Sequence, residues 1–333
     1  MPNQKNKQNI ITIIGFGRFG KLLAHILTPY GEINVISRKP VKKFKQISFK
    51  EMSRSNWIIP TVPISVTPNI LKEISPYLQP KTLVMDVCSV KYYPCLWLKK
   101  YLPSHVELLG SHPMFGPDSA KHGLKNLQIV FCPIRINKKR YNEIKKIFLS
   151  LGLKIIETSP REHDRQSAKS LALVHFIGRA LGQMKIKDPE ISTLGFKKLL
   201  QVCENVENDS WRLFFDMHKF NPFTNKERKK FIKSLQKIDL MIDLDNYNLA
   251  DLRKIINKID EKIFFLIKER LEIAQKIGQL KKENNLAIID KKREKELIER
   301  MINKFKTIDK KFIKSLYSLI FNQSYKKQGG KNG

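Results

Sequence analysis

The chain has 333 residues, and its 63 Lys and Arg against 31 Asp and Glu give a formal net charge of +32. That length suits two or three domains, each with its own core. Four cysteines with no metal-like spacing exclude a disulfide framework and a zinc site. No apolar run reaches the ~20 residues of a membrane span, and the opening MPNQKNKQNI has no apolar signal core. The basic excess contains no block of cations interleaved with aromatics, so it reads as lysine-rich solvated surface rather than a nucleic-acid site. The expectation is a cytoplasmic enzyme of small anionic metabolites, with no metal, no membrane and no nucleic acid among its partners.

In chain order, the apolar run IITII (10–14) reads as a strand, followed by Gly15-Phe16-Gly17-Arg18-Phe19-Gly20 and the helical pattern KLLAHIL. A GxGxxG between strand and helix is the arrangement that cradles a dinucleotide. The first glycine makes the tight turn, the second admits the pyrophosphate, and the third lets helix and strand pack. The helix N-terminus adds free N–H groups and positive dipole. The second strand, INVIS, runs into Ser37-Arg38-Lys39, where an NAD site would carry an acidic residue. An arginine there can pair with a 2′-phosphate, which favours NADP over NAD; ordinary surface cations are the alternative.

Further strand-like runs lie at 56–62, 82–88, 106–111 and 127–132, with helical patterns between them. Alternation of this kind predicts a parallel, doubly wound α/β sheet over residues 1–157. From 158 to 243 nearly everything reads as helix, a second, all-α domain for substrate binding and dimerisation. The stretch DLDNYNL (243–249) reads as a linker, residues 247–328 as a third, three-helix domain, and 329–333 as a disordered tail.

Two segments follow strands at the edge where open α/β sheets bind ligands: Asp86-Val-Cys-Ser89-Val-Lys91 and Gly110-Ser-His112-Pro-Met-Phe-Gly-Pro-Asp118. A histidine there can titrate near neutrality and act as a base. With EHDRQSAKSLALVHF, these segments resemble prephenate dehydrogenase over roughly residues 10–240. The resemblance implies that His112 accepts the proton of the substrate's ring hydroxyl. It also implies that Ser89 hydrogen-bonds near that hydroxyl and the nicotinamide, and that His175 helps bind the substrate from the helical domain. Structural alternatives are a loop brace for His112, a helix cap for Ser89 and a core histidine for His175. Where the family has an arginine for a substrate carboxylate, this chain has Lys197, which keeps the charge but not the bidentate fork. Arogenate therefore stands as the alternative substrate to prephenate. His163 reads as a helix-start residue, with Asp164 as a possible cap.

The last segment contains Arg253, Arg270, Lys281, Asp290, Arg293, Glu294, Ser324 and Gln328 on helical patterns. Leu252, Ile256, Ile259, Ile263, Leu266, Ile277 and Leu280 recur at three- and four-residue steps as a core-facing stripe. Lys281 follows Arg270 by 11 residues, almost three whole turns, so the two share a face. Arg253 precedes Arg270 by 17 residues, about 25 Å along one helix. No small metabolite spans that gap, so joint action requires a second subunit and an intertwined homodimer. These residue types, in this order, resemble the all-helical chorismate mutases. The resemblance implies that the arginines and Ser324 hold two carboxylates, Glu294 and Asp290 address the substrate hydroxyl, and Lys281 and Gln328 donate to the ether oxygen. Together the two resemblances imply a bifunctional enzyme converting chorismate to prephenate and prephenate to 4-hydroxyphenylpyruvate. The alternative is an arogenate-preferring dehydrogenase whose mutase-like helices only dimerise or regulate.

Overall fold

The computed structural model describes residues 9–245 and 248–328, so the expected tail at 329–333 and part of the expected linker lie outside the described residues. Contacts divide the chain into two compact units, Met1–Leu235 and Gln236–Gly333.

The first unit is built on an eight-stranded sheet in the order β3-β2-β1-β4-β5-β6-β7-β8. Its strands are β1 (Asn9–Ile14), β2 (Gly31–Ile36), β3 (Lys45–Gln46), β4 (Trp57–Pro60), β5 (Leu83–Asp86), β6 (Glu107–Pro113), β7 (Gln128–Arg135) and β8 (Lys154–Glu157). Helices α1 (Arg18–Leu27), α2 (Thr67–Ile74), α3 (Tyr92–Tyr101) and α4 (Lys138–Ser150) connect them. Successive residues of the inner strands enter opposite layers, as the period of a strand requires. Trp57, Ile59, Leu83, Met85 and Leu109 join one core with α1 and α4. Ile58, Val84 and Leu108 join the other, with α2 and α3. A sheet covered on both faces needs near-continuous apolar strands, which is what IITII and WII supply.

The sheet departs from the all-parallel expectation once. β7 pairs antiparallel with β6, and the other ladders are parallel. The reason is the connection: no helix lies between Pro113 and Gln128, and without a crossover the chain returns beside β6 in the opposite sense.

Beyond the sheet come α5 (Pro160–Ser167), a π-helical stretch (Ala168–Ala172), α6 (Leu173–Gln183), α7 (Leu194–Glu207), α8 (Trp211–Phe220) and α9 (Thr224–Asp245). Ser159, Thr193 and Ser210 cap α5, α7 and α8 by accepting the N–H three residues on. α9 continues to Asp245, into the stretch expected to be a linker.

The second unit contains α10 (Leu249–Glu283), α11 (Lys291–Lys304) and α12 (Lys310–Gln328). Asn248 caps α10 and Asp290 caps α11. The apolar stripe of α10 is not a core within one chain, contrary to the sequence expectation. Ile256, Ile259, Ile263, Leu266 and Leu280 are all exposed, and only Ala274 and Gly278 of this helix are buried. At 35 residues the helix is about 52 Å long, far longer than the 19-residue α12 that packs on it. A period of 3.6 identifies an apolar face but not what covers it.

Candidate active sites

The glycine loop has the geometry a dinucleotide requires. It lies at the end of β1, where the strand order turns from β2 on one side to β4 on the other, the switch point at which such sheets bind ligands. Gly15 has φ +97°, a conformation L side chains rarely adopt. A Cβ on Gly20 would sit 2.4 Å from the Gly15 carbonyl oxygen, so only glycine lets α1 start this close to the strand. A Cβ on Gly17 would meet nothing within 4 Å, which leaves open the side from which a pyrophosphate approaches. No side chain caps α1, so its first N–H groups remain available to phosphate oxygens. Phe16 and Phe19 are half-buried against the core. Arg18 pairs with Asp118 at 2.6 Å and donates to the Asn208 carbonyl at 2.9 Å. Ser37 and Arg38 follow β2, whose Ile36 carbonyl accepts from Gly15 N–H, and Arg38 is exposed.

On the same edge, the ends of β5 and β6 carry a buried polar cluster. His112, on β6, is buried, and its Nδ1 lies 2.9 Å from Nε2 of His163. His163 Nδ1 lies 2.8 Å from Oδ1 of Asp164. Asp164 does not cap its own helix, a role taken by Ser159. Its two carboxylate oxygens instead accept the N–H groups of Lys91 and Tyr92 at the start of α3, at 2.7 and 3.0 Å. Lys91 is fully buried and pairs with Asp86; burial brings its ammonium pKa down to about 8. Asp86 also accepts Cys88 N–H at 2.8 Å, and its carbonyl takes the Ser111 hydroxyl at 2.6 Å. Burial pushes the pKa of His112 well below the ordinary histidine value, with His163 and Lys91 adding to the effect. His112 is therefore neutral and able to accept a proton. Ser89 does not cap α3, whose N-cap is Lys91; its Oγ is buried with no hydrogen-bond partner among the described residues.

In the helical part of this unit, His175 is buried, with Nε2 3.9 Å from the Asp209 carboxylate and Nδ1 without a partner among the described residues. Burial lowers its pKa and raises that of Asp209. Arg179 donates to the Asp209 carbonyl and lies over the Trp211 ring, 4.4 Å from its centroid. Lys197 is exposed in the first turn of α7.

In the second unit, Arg270 donates to the Ser324 hydroxyl at 2.6 Å, and that hydroxyl donates to the Ile320 carbonyl at 2.7 Å. Lys281 Nζ donates to the Ile288 carbonyl at 2.7 Å, tying the end of α10 to the segment that leads into α11. Asp290 accepts Arg293 N–H at 3.0 Å, which places Arg293 and Glu294 in the first turn of α11. Gln328 Oε1 is buried without a partner among the described residues, and a Cβ on Gly278 would come within 2.8 Å of the Gln328 Cβ and Cγ. Arg270, Ser324 and Gln328 thus lie along the seam between α10 and α12, while Lys281 is held at the turn towards α11. Arg253 is exposed on the opposite end of α10, so one chain does not bring it to them.

The sequence reading missed His163, Asp164 and Lys91 as members of the first cluster. His163 stands 51 residues from His112, and no spacing rule connects a strand to a helix that distant.

A family model described as prephenate dehydrogenase, nucleotide-binding domain, matches residues 38–157, and one described as chorismate mutase type II matches residues 252–329. A third, TYRAAT1-like C-terminal domain, matches 180–260. The chain is 32% identical over 238 residues to arogenate dehydrogenase 1, chloroplastic, from Arabidopsis thaliana, covering 66% of this chain and 37% of that protein. It is 32% identical over 182 residues to the T-protein of Haemophilus influenzae, covering 54% and 46%. It thus spans less than half the length of these two curated relatives. Among solved structures, the prephenate dehydrogenase from A. aeolicus in complex with hydroxyphenyl propionate and NAD+ superposes with a TM-score of 0.58. That match has 19% identity and covers 81% of this chain and 100% of the other, a likeness of fold. No helix among the described residues is long and apolar enough to cross a membrane.

Proposed function

We propose that this chain, which carries a prephenate dehydrogenase nucleotide-binding domain and a type II chorismate mutase domain, catalyses two consecutive reactions of tyrosine biosynthesis. The second unit rearranges chorismate to prephenate, and the first oxidatively decarboxylates prephenate to 4-hydroxyphenylpyruvate. The observation that carries the reading is the presence of both sets of chemistry in one chain: a buried neutral histidine on the same sheet edge as a dinucleotide loop, and an arginine and a serine that meet across two helices.

In the dehydrogenase, a nicotinamide cofactor held by Gly15, Gly17 and Gly20 supplies the hydride acceptor when bound. His112 takes the ring hydroxyl proton, and the unpartnered Ser89 hydroxyl is free to hold the oxygen it leaves. Departure of the ring carboxylate as CO2 makes the ring aromatic, which drives the step. His175 contributes an unpartnered buried nitrogen for substrate. Lys197, exposed as it is in one chain, binds a substrate carboxylate only from the surface of the helical region. Arg38, with no acidic residue at the end of β2, makes NADP the preferred cofactor.

In the mutase, Arg270, Arg293 and Ser324 hold the carboxylates, Asp290 and Glu294 address the hydroxyl, and Lys281 and Gln328 donate to the ether oxygen as its C–O bond breaks. Donors fixed in place before the reaction stabilise that developing charge without a covalent step. Arg253 completes the site from a second copy, and the exposed stripe of α10 is the face a homodimer covers.

The relative named arogenate dehydrogenase supports a second reading, in which arogenate is the preferred substrate of the first unit. Steady-state rates with prephenate and arogenate, each with NAD and NADP, decide it. Prephenate with NADP should give the highest kcat/KM. A preference for arogenate would replace the substrate assignment, and a strong preference for NAD would remove the role given to Arg38.

A further inference from the structure

The buried set around His112 does more than lower its pKa. Its hydrogen bonds run in one direction. Both oxygens of Asp164 already accept backbone N–H groups from Lys91 and Tyr92, so the oxygen facing His163 accepts as well, and His163 Nδ1 must carry the hydrogen. Burial keeps His163 neutral, its pKa lowered despite the opposing pull of Asp164, so its Nε2 offers a lone pair. That lone pair faces His112 Nδ1 at 2.9 Å. His112 must therefore place its own hydrogen on Nδ1, which leaves Nε2 bare.

We propose that His163 and Asp164 are positioning residues that fix His112 in the tautomer whose Nε2 is the proton acceptor. The inference rests on the reading of His112 as the base. When the substrate hydroxyl proton moves to His112 Nε2, the imidazolium keeps its Nδ1–H bond to His163, and the Asp164 carboxylate lies one ring further on. The logic is that of a base oriented by a third group, with a second histidine inserted between base and carboxylate.

Asp164 has a further hold on the site. By accepting the first N–H groups of α3, it anchors the segment between Asp86 and Lys91 that carries Ser89. One carboxylate thus sets both the tautomer of the base and the place of the hydroxyl opposite it. The other charged groups at this cluster are Lys91, ahead of α3, and Asp86, on β5, which neutralise each other. Cys95 and Cys132, whose thiols burial keeps protonated, complete the surroundings of Lys91.

The test uses the full chain with prephenate, comparing His163→Ala, His163→Gln and, as a control on the reading itself, His112→Asn. His163→Ala should lower kcat about 100-fold while leaving the KM for cofactor unchanged. It should also move the acid limb of the kcat/KM profile to lower pH, because the His112 imidazolium loses the neutral ring that accepts its Nδ1–H. His163→Gln should recover most of the rate, since its amide can accept from His112 and donate to Asp164. Independently, 15N NMR of the unaltered chain should show His112 Nε2 as the unprotonated ring nitrogen. Wild-type kcat and acid limb in His163→Ala, with His112→Asn inactive, would overturn the inference and leave the base assignment standing. A His112→Asn variant of wild-type rate would instead sink that assignment. If His163→Ala does not fold, the NMR tautomer decides: a bare Nδ1 on His112 overturns the proposal.

Discussion

Arg270 on α10 and Ser324 on α12 meet through a 2.6 Å hydrogen bond, although 54 residues separate them in the chain. The serine hydroxyl passes its own hydrogen to the Ile320 carbonyl, so its lone pair is aimed at the guanidinium. Burial lowers the pKa of Arg270, and the Phe321 ring lies 5.6 Å from its guanidinium carbon. The cation is thus set in place before any substrate arrives. Ser324→Ala removes one orienting bond to a charged group, worth about 1.5–3 kcal/mol, so chorismate turnover should fall roughly 10- to 100-fold. Arg270→Ala should abolish it while prephenate oxidation continues. Unchanged turnover in Ser324→Ala would show that Arg270 needs no such anchor.

Gly278 allows α10 and α12 to close at Gln328. A Cβ there would stand 2.8 Å from the Cβ and Cγ of Gln328 and 2.9 Å from its Cα. These atoms are the root of the side chain and the backbone itself rather than a flexible tip, so the helices must part. Gly278→Ala should cost about 1–3 kcal/mol by overpacking, despite alanine's better helix propensity. It should lower mutase kcat more than it raises KM, because Gln328 is displaced from the breaking bond. Thermal denaturation together with mutase kinetics would check both effects, and a gain in stability with full activity would contradict this packing.

Lys91 and Asp86 form an ion pair with neither partner reached by solvent. Removing one partner leaves an uncompensated buried charge, at a cost of about 3–5 kcal/mol. Lys91→Met should therefore lower the urea midpoint of the first unit sharply, and adding Asp86→Asn should restore part of the loss. A double variant no better than the single one would show that the lysine acts by packing alone.

The sequence made some of this legible and not the rest. The glycine loop and the strand runs are local, written in consecutive residues, and the structure has them where the residues put them. The antiparallel turn of β7 was not legible, because an apolar run has no direction until its connection is known. The stripe on α10 was legible as a face but misassigned as a core, because periodicity does not say what lies opposite. The contact between His112 and His163 depends on a helix docking over a strand edge, and Asp164 looked like a local cap until the start of α3 was seen to donate to it.

Burial holds four histidines neutral in the folded first unit. The pKa values of His112, His163 and His175 lie below the ordinary 6.5, and that of His218 is brought down to about 4. Below pH 6.5 the unfolded chain binds protons that the folded chain refuses, so stability is full above that value. It falls as the pH drops towards about 4, where His218 protonates in the fold. Each such group contributes a slope of up to about 1.4 kcal/mol per pH unit. Urea midpoints of the first unit's transition measured from pH 7.5 to 5 should stay level and then decline, and His218→Phe should make the decline shallower. A midpoint that rises on acidification would contradict the burial of these rings.

The central claim is that one chain performs both reactions, and a single assay reaches it directly. Chorismate and oxidised cofactor are mixed with the protein, with no prephenate supplied, and reduced nicotinamide is followed at its absorbance. The account predicts formation of reduced cofactor after a lag while prephenate accumulates. That signal should vanish in Arg270→Ala and return when prephenate is added, and His112→Asn should consume chorismate without reducing cofactor. Rapid reduction with prephenate but no loss of chorismate in the unaltered protein would contradict the account, leaving the second unit without catalysis.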